Sequence, residues 1–142
     1  MDGKAARARV VIQGVTPEID CGRFPIKRII GDKVIVEADI FTDGHELMAA
    51  ELLWRSIDEK DWRRVPMQLE ANDRWRAEIA PLRIGRYLVT VEAWWDEFSS
   101  LLRDLEKKRA ASVDFAVEIA EARLLLRAAA DRAGDTGERS VL

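Results

Sequence analysis

Lys33-Val34-Ile35-Val36-Glu37-Ala38-Asp39-Ile40-Phe41 is the stretch that decides the fold. Val34, Val36, Ala38 and Ile40 fall on one face. Lys33, Glu37 and Asp39 fall on the other, with Ile35 and Phe41 interrupting. Successive side chains of a strand point to opposite faces, so this alternation reads as a half-buried antiparallel strand. Gly31-Asp32 before it and Asp43-Gly44 after it are turn signals.

The same period recurs on either side. Val10 to Val15 reads as a first strand ending near Pro17, and Cys21 to Pro25 as a turn-rich connection. Ala50, Leu52 and Trp54 alternate with Glu51, Leu53 and Arg55. Val65 to Leu69 reads as one short strand, made edge-like by Pro66, which cannot donate to a ladder. Asn72-Asp73 is a hairpin turn, after which Trp75, Ala77 and Ile79 share a face. Gly85 opens a long strand with Tyr87, Val89, Val91 and Ala93 on one side. About six strands at this spacing are those of a sandwich, with an edge left open.

The period then changes to that of a helix. Phe98, Leu101, Leu102 and Leu105 form one apolar stripe, with Asp96 or Ser99 as its cap. Ser112 and Asp114 mark a second start, followed by Phe115, Ile119, Ala122, Leu126 and Ala129, with Leu124 and Leu125 widening the stripe. The expected organisation is a β-sandwich over 9–95, a helical segment over 96–133 and a disordered tail over 134–142. The fold class is mainly β with α, the sandwich being followed by an antiparallel helix pair.

Composition narrows the function. At 142 residues, 48% hydrophobic and 35% charged, the chain has enough apolar material for a core and is not of disordered composition. A net charge of −3 with acids and bases interleaved argues against nucleic acid. No apolar run reaches membrane-spanning length, and Met1 to Ala5 lacks a signal-peptide core. Cys21 is the one cysteine, so no disulfide framework exists and a cytoplasmic setting is expected. With His45 the one histidine, metal ligation has no spacing to support it, and His45 reads as a turn residue. Cys21 reads as a small, mostly buried thiol rather than a nucleophile. Glu92, Asp96 and Glu97 cluster as a glycosidic carboxylate pair would, but a solvated face and a helix start explain them. No catalytic residue and no cofactor are expected.

The five tryptophans are the compositional excess: Trp54, Trp62, Trp75, Trp94 and Trp95. Trp54 and Trp75 lie on inward strand faces. Trp94 and Trp95 are adjacent, so one of them points away from the core, toward the start of the helices, a partner or a sugar. Trp94, Trp95 and Trp62 are therefore the candidates for sugar or interface contact.

Several of these segments also carry a family resemblance. Asp20-Cys21-Gly22-Arg23-Phe24-Pro25-Ile26-Lys27, then Gly31 and Asp39-Ile40-Phe41-Thr42-Asp43-Gly44-His45, resembles the opening of the maltosyltransferases that extend α-1,4-glucans from maltose 1-phosphate. Asp73-Arg74-Trp75, Gly85-Arg86-Tyr87 and Val91-Glu92-Ala93-Trp94-Trp95-Asp96 continue it in order, and Phe115 to Ala130 more loosely. The resemblance spans roughly residues 9–130.

It implies an α-amylase-type enzyme. An immunoglobulin-like N-terminal sandwich interrupted by a helical bundle is followed by a retaining barrel with an aspartate nucleophile and a glutamate acid/base. Those two residues belong to the barrel, beyond position 142, so none is carried onto this chain. The resemblance thus implies a non-catalytic accessory and dimerisation domain, with a homodimer partner and the parent catalytic barrel as contacts. An α-glucan-binding module using an exposed tryptophan is the alternative. Neither nucleic acid nor membrane is an expected partner. Whether the chain is a fragment or a natural short protein stays open.

Overall fold

The computed structural model describes residues 9–44 and 47–133. His45, the N-terminal residues 1–8 and the tail expected to be disordered lie outside the described residues. The chain divides into two compact units, one ending at Trp95 and one beginning at Asp96.

The first unit is a pair of antiparallel sheets. Its strands are β1 (Val10–Thr16), β2 (Val34–Thr42), β3 (Met48–Ser56), β4 (Arg63–Pro66), β5 (Gln68–Ala71), β6 (Arg74–Ile79) and β7 (Tyr87–Trp95). One sheet has the order β1-β2-β6-β5 and the other β4-β3-β7. In immunoglobulin lettering these are A-B-E-D and C′-C-F. The alternation in β2 holds: Val34, Val36, Ala38 and Ile40 are all buried, opposite Trp75, Ala77 and Ile79 of β6. From the second sheet Ala50 and Leu52 close the core, and Trp54, Val91 and Ala93 pack against it. Leu53, on the other face of β3 between Arg64 and Thr90, is buried as well.

Among the described residues seven strands are present where about six were expected. The segment from Val65 to Leu69 is not one strand. Pro66 ends β4 against Glu51, and Gln68 starts β5 against Arg76 in the opposite sheet. Met67 lies at the crossing, buried, its N–H donating to the Ala50 carbonyl at 2.8 Å. Tertiary pairing overrides the local alternation, because each half finds a different partner strand.

Two turns are fixed by backbone conformation. Asn72 and Asp73 both have positive φ, 49° and 64°, as the two-residue hairpin between β5 and β6 needs. Gly14, at φ 59°, lies in the irregular stretch of β1 between Gln13 and Thr16. A Cβ there would come within 3.1 Å of Asp39 Oδ2. Arg74 ties this stretch to its sheet, donating to the Gly14 carbonyl, the Thr16 hydroxyl, Asp39 and Glu37.

The second unit is α1 (Glu97–Ala110) and α2 (Ala116–Ala133). Asp96, not Ser99, caps α1: its Oδ1 accepts the Ser99 N–H at 2.9 Å and its Oδ2 the Ser99 hydroxyl. At α2 the Asp114 carboxylate accepts the Ala116 N–H, while Ser112 sits in the preceding turn with positive φ. The short connection turns the chain back, and Lys108 pairs with Glu118 across the two helices. None of the described helix residues is fully buried, and Phe98, Leu102, Val117 and Leu124 are exposed. Neither helix is long and apolar enough to cross a membrane.

Candidate functional site

The outer face of the three-stranded sheet collects most of the side chains with chemical potential in the first unit. Glu51 of β3 lies directly opposite Glu92 of β7. Two like charges so placed repel, and Arg64 of β4 resolves this by donating to both, at 2.7 and 3.1 Å. Hydrogen bonding to Glu51 first, then to Glu92, raises the Arg64 guanidinium above its ordinary value.

Toward one end of this face the Arg55 guanidinium lies 4.9 Å from the centroid of the Trp62 ring. Arg55 also donates to the Glu59 carbonyl. Toward the other end Trp94 stands beside Ala49. Trp62 and Trp94 are 38% and 42% exposed. Trp95 pairs with Met48 and is half-buried, on the face opposite Trp94. The adjacent tryptophans thus do split between faces, and Trp94 is the outward one. Trp54 and Trp75 lie inward as expected, Trp75 donating from Nε1 to the Ile40 carbonyl. The pairing of Trp62 with Arg55 had no legible signal, since it joins two residues across a turn without periodicity.

Beyond Arg55 the turn after β3 holds a second polar cluster. Ser56 is buried, and its hydroxyl donates to Asp58. Arg83 donates to both Asp58 oxygens at 2.6 and 2.7 Å and to the Ser56 hydroxyl at 3.1 Å. The Ser56 bond foremost, with the Arg83 charge behind it, holds the Asp58 carboxyl below its ordinary range. Arg63 does the same for Glu59 through two bonds of 2.7 Å. A serine beside an aspartate is suggestive of nucleophile chemistry. However, a carboxylate held ionised by a guanidinium is a weak base, and no histidine lies with it among the described residues. The cluster ties the 80–86 loop to the end of β3.

The remaining candidates are separated. Glu92 is on Arg64, Asp96 caps α1, and Glu97 lines a shallow groove within the helical unit, with Leu101, Asp104, Glu121, Leu124 and Leu125. They do not form a carboxylate pair. Cys21 is exposed, which corrects the expectation of a mostly buried thiol. Asp20, Cys21 and Gly22 all have positive φ, in a tight surface turn closed by the bridge between Ile19 and Phe24. Such a turn directs side chains outward. Among the described residues no group of three or more His, Cys, Asp or Glu side chains is placed to hold a metal.

Comparison with known proteins bears on this arrangement. A family model described as alpha-1,4-glucan:maltose-1-phosphate maltosyltransferase, domain N/S, matches residues 8–141. The maltosyltransferase of Burkholderia pseudomallei is 43% identical over 120 residues, 84% of this chain and 11% of that protein. That of Myxococcus xanthus is 41% identical over 128 residues, 87% of this chain and 19% of its own length. That of Chlorobaculum tepidum is 44% identical over 129 residues, 91% and 19% respectively. The chain thus spans under a fifth of the length of each of these three relatives.

Proposed function

Because the chain belongs to the alpha-1,4-glucan:maltose-1-phosphate maltosyltransferase family, within its domain N/S, we propose that it is a non-catalytic accessory and dimerisation domain. In this reading it supports a catalytic barrel of α-amylase type in the cytoplasm, where a maltosyl group passes from maltose 1-phosphate to an α-1,4-glucan. The observation that carries it is the fate of the polar residues. Among the described residues of the first unit, the acid–base clusters hold strands or turns: Arg74 on β1 and β2, Arg64 across Glu51 and Glu92, Arg83 on Asp58. These described clusters do not bring a base, a nucleophile and an open position together.

Unpaired structure supports self-association. Among the described residues β7 pairs with β3 and has no ladder partner on its other side, an edge of the kind that can take a further strand. Both helices also present apolar side chains to solvent. The 142-residue chain is expected to form dimers and to leave maltose 1-phosphate unconsumed in the presence of a glucan acceptor. Light scattering over a concentration series, run beside a phosphate-release assay, checks both. A strict monomer at all concentrations removes the dimerisation role, and turnover removes the accessory one.

A second reading, α-glucan binding, is favoured by the exposure of Trp62 and Trp94 on the outer face of one sheet. They stand beside Arg55 and Ala49, which are six residues apart on β3. That is roughly 20 Å at the rise of a strand. An oligosaccharide of several glucose units, not one maltose, would be needed to touch both. Titration with a long maltooligosaccharide is expected to change the tryptophan fluorescence, and to change it less in Trp94→Ala. A flat titration at millimolar sugar ends this reading.

A further inference from the structure

Among the described residues four strands form sheet edges: β1 and β5 in one sheet, β4 and β7 in the other. Exposed edges recruit further strands unless short length, bulges, proline or charge blunt them. Three of the four are blunted. The β1 ladder is interrupted between Gln13 and Thr16, where Gly14 has positive φ. Strand β4 has four residues, among them Arg63, Arg64 and Pro66. Strand β5 also has four, and its register shifts between Leu69 and Ala71. Strand β7 has none of these devices. It runs for nine residues, Tyr-Leu-Val-Thr-Val-Glu-Ala-Trp-Trp, in unbroken register with β3 and with one charged residue, Glu92.

The core beside this edge is also incompletely covered. Val91 and Ala93 lie opposite the buried Leu52 and Ala50, so they face inward, and Val89 shares their face. Val89 is nevertheless 44% exposed. Across the sandwich Ile12 of the β1 edge, paired with the buried Ile40, is 36% exposed. The open side of the sandwich thus leaves core-facing aliphatics in water.

We propose that a second copy of this chain covers this side, its β7 pairing antiparallel with β7 about a two-fold axis at Val91. The inference rests on the dimerisation reading and gives it a surface and a register. The sequence of β7 is complementary to itself in that register. On the inner face Val91 meets Val91, Val89 meets Ala93, and Tyr87 meets Trp95. On the outer face Leu88 meets Trp94 and Thr90 meets Glu92. Aromatic and aliphatic cross-strand pairs of this kind stabilise a ladder, and like charges directly opposite weaken it. An axis at Glu92 would set that carboxylate against its own copy. With the axis at Val91 the two Glu92 side chains are diagonal, and each keeps the bond from its own Arg64. Arg86 immediately precedes β7 and Asp96 immediately follows it, so the register brings opposite charges to each end. An isologous contact requires such self-complementarity.

The test uses the 142-residue chain carrying Cys21→Ser, with a nitroxide label on Thr90→Cys or, as control, on Glu70→Cys of β5. In this register the two Thr90 positions are diagonal neighbours, roughly 7–8 Å apart. Strong dipolar broadening is expected at Thr90, lost on dilution with unlabelled chain, and none at Glu70. Val89→Lys, at a solvent-exposed edge position, is expected to weaken dimerisation at least ~10-fold by light scattering with an unchanged circular dichroism spectrum. If the chain dimerises, Thr90 labels do not couple and Val89→Lys has no effect, this interface is wrong and the dimerisation reading stands. If β7 amides resist hydrogen exchange at concentrations where the chain is monomeric, a segment of the same chain holds the edge and the second copy does not. If no dimer forms at any concentration, both fail.

Discussion

Replacing Trp75 with alanine is expected to destabilise the sandwich by about 3–5 kcal/mol, the range for emptying a buried aromatic site. Trp75 is buried on β6 between its partners Ala38 on β2 and Leu69 on β5. Its indole N–H donates to the Ile40 carbonyl at 3.3 Å. Truncation therefore removes the largest side chain among the buried residues and leaves a cavity next to Ile40 and Ala38, which are already fully buried. Single domains hold about 5–15 kcal/mol in all, so a loss of that size brings the unit close to unfolding. Trp62→Ala is the control. That ring is partly exposed and stacked on one guanidinium, so about 1 kcal/mol or less is expected. Urea unfolding followed by circular dichroism measures both. Equal losses at the two positions would contradict the placement of Trp75 as the core aromatic and Trp62 as a surface one.

How legible each part was follows from where its information resides. Strands β2, β6 and the inner face of β3 could be read because one sheet face is buried and the other is wet, so burial is written as alternation every second residue. Helix α1 could be read because a period of 3.6 replaces it at Phe98, and its cap is a local side-chain-to-backbone bond. The outer-face cluster could not be read. Arg64 meets Glu51 and Glu92 from positions 13 and 28 residues distant, and only the pairing order of β4, β3 and β7 brings them together. Cys21 was misplaced for a related reason. Burial statistics for cysteine are averages, and a run of positive-φ residues at Asp20, Cys21 and Gly22 overrides them locally.

The family match and the physical reading meet at the same point. On the proposed accessory reading, the ion pairs that tie the first unit together and the apolar side chains exposed on the helices belong to one design. The clusters around Arg74, Arg64 and Arg83 give rigidity to elements that are otherwise joined by turns. Rigidity of that kind suits a domain that positions another, since an accessory surface is useful only if its shape does not change on contact.

The sheet crossing at Met67 yields the other large effect. Val65, Met67 and Leu69 alternate as one strand face would, and on that reading a charge at Met67 and a charge at Leu69 would do equal harm. The structure predicts a steep difference. Met67 is 5% exposed, at the step from β4 to β5, whereas Leu69 is 56% exposed on an edge strand. Met67→Lys places an ammonium within the buried apolar cluster, and burying an unpaired charge costs several kcal/mol. That is a large share of the stability of a domain this size, so Met67→Lys is expected to unfold the sandwich or to leave it poorly folded at room temperature. Leu69→Lys is expected to stay within about 0.5 kcal/mol of the parent chain, as substitutions at open surface positions do. Thermal melts of the two variants decide the matter. If both unfold, the segment behaves as one continuous strand face and the division into four-stranded and three-stranded sheets is wrong; if both are tolerated, Met67 is not buried at the crossing. If Met67→Lys alone unfolds, the chain crosses between the sheets at that residue.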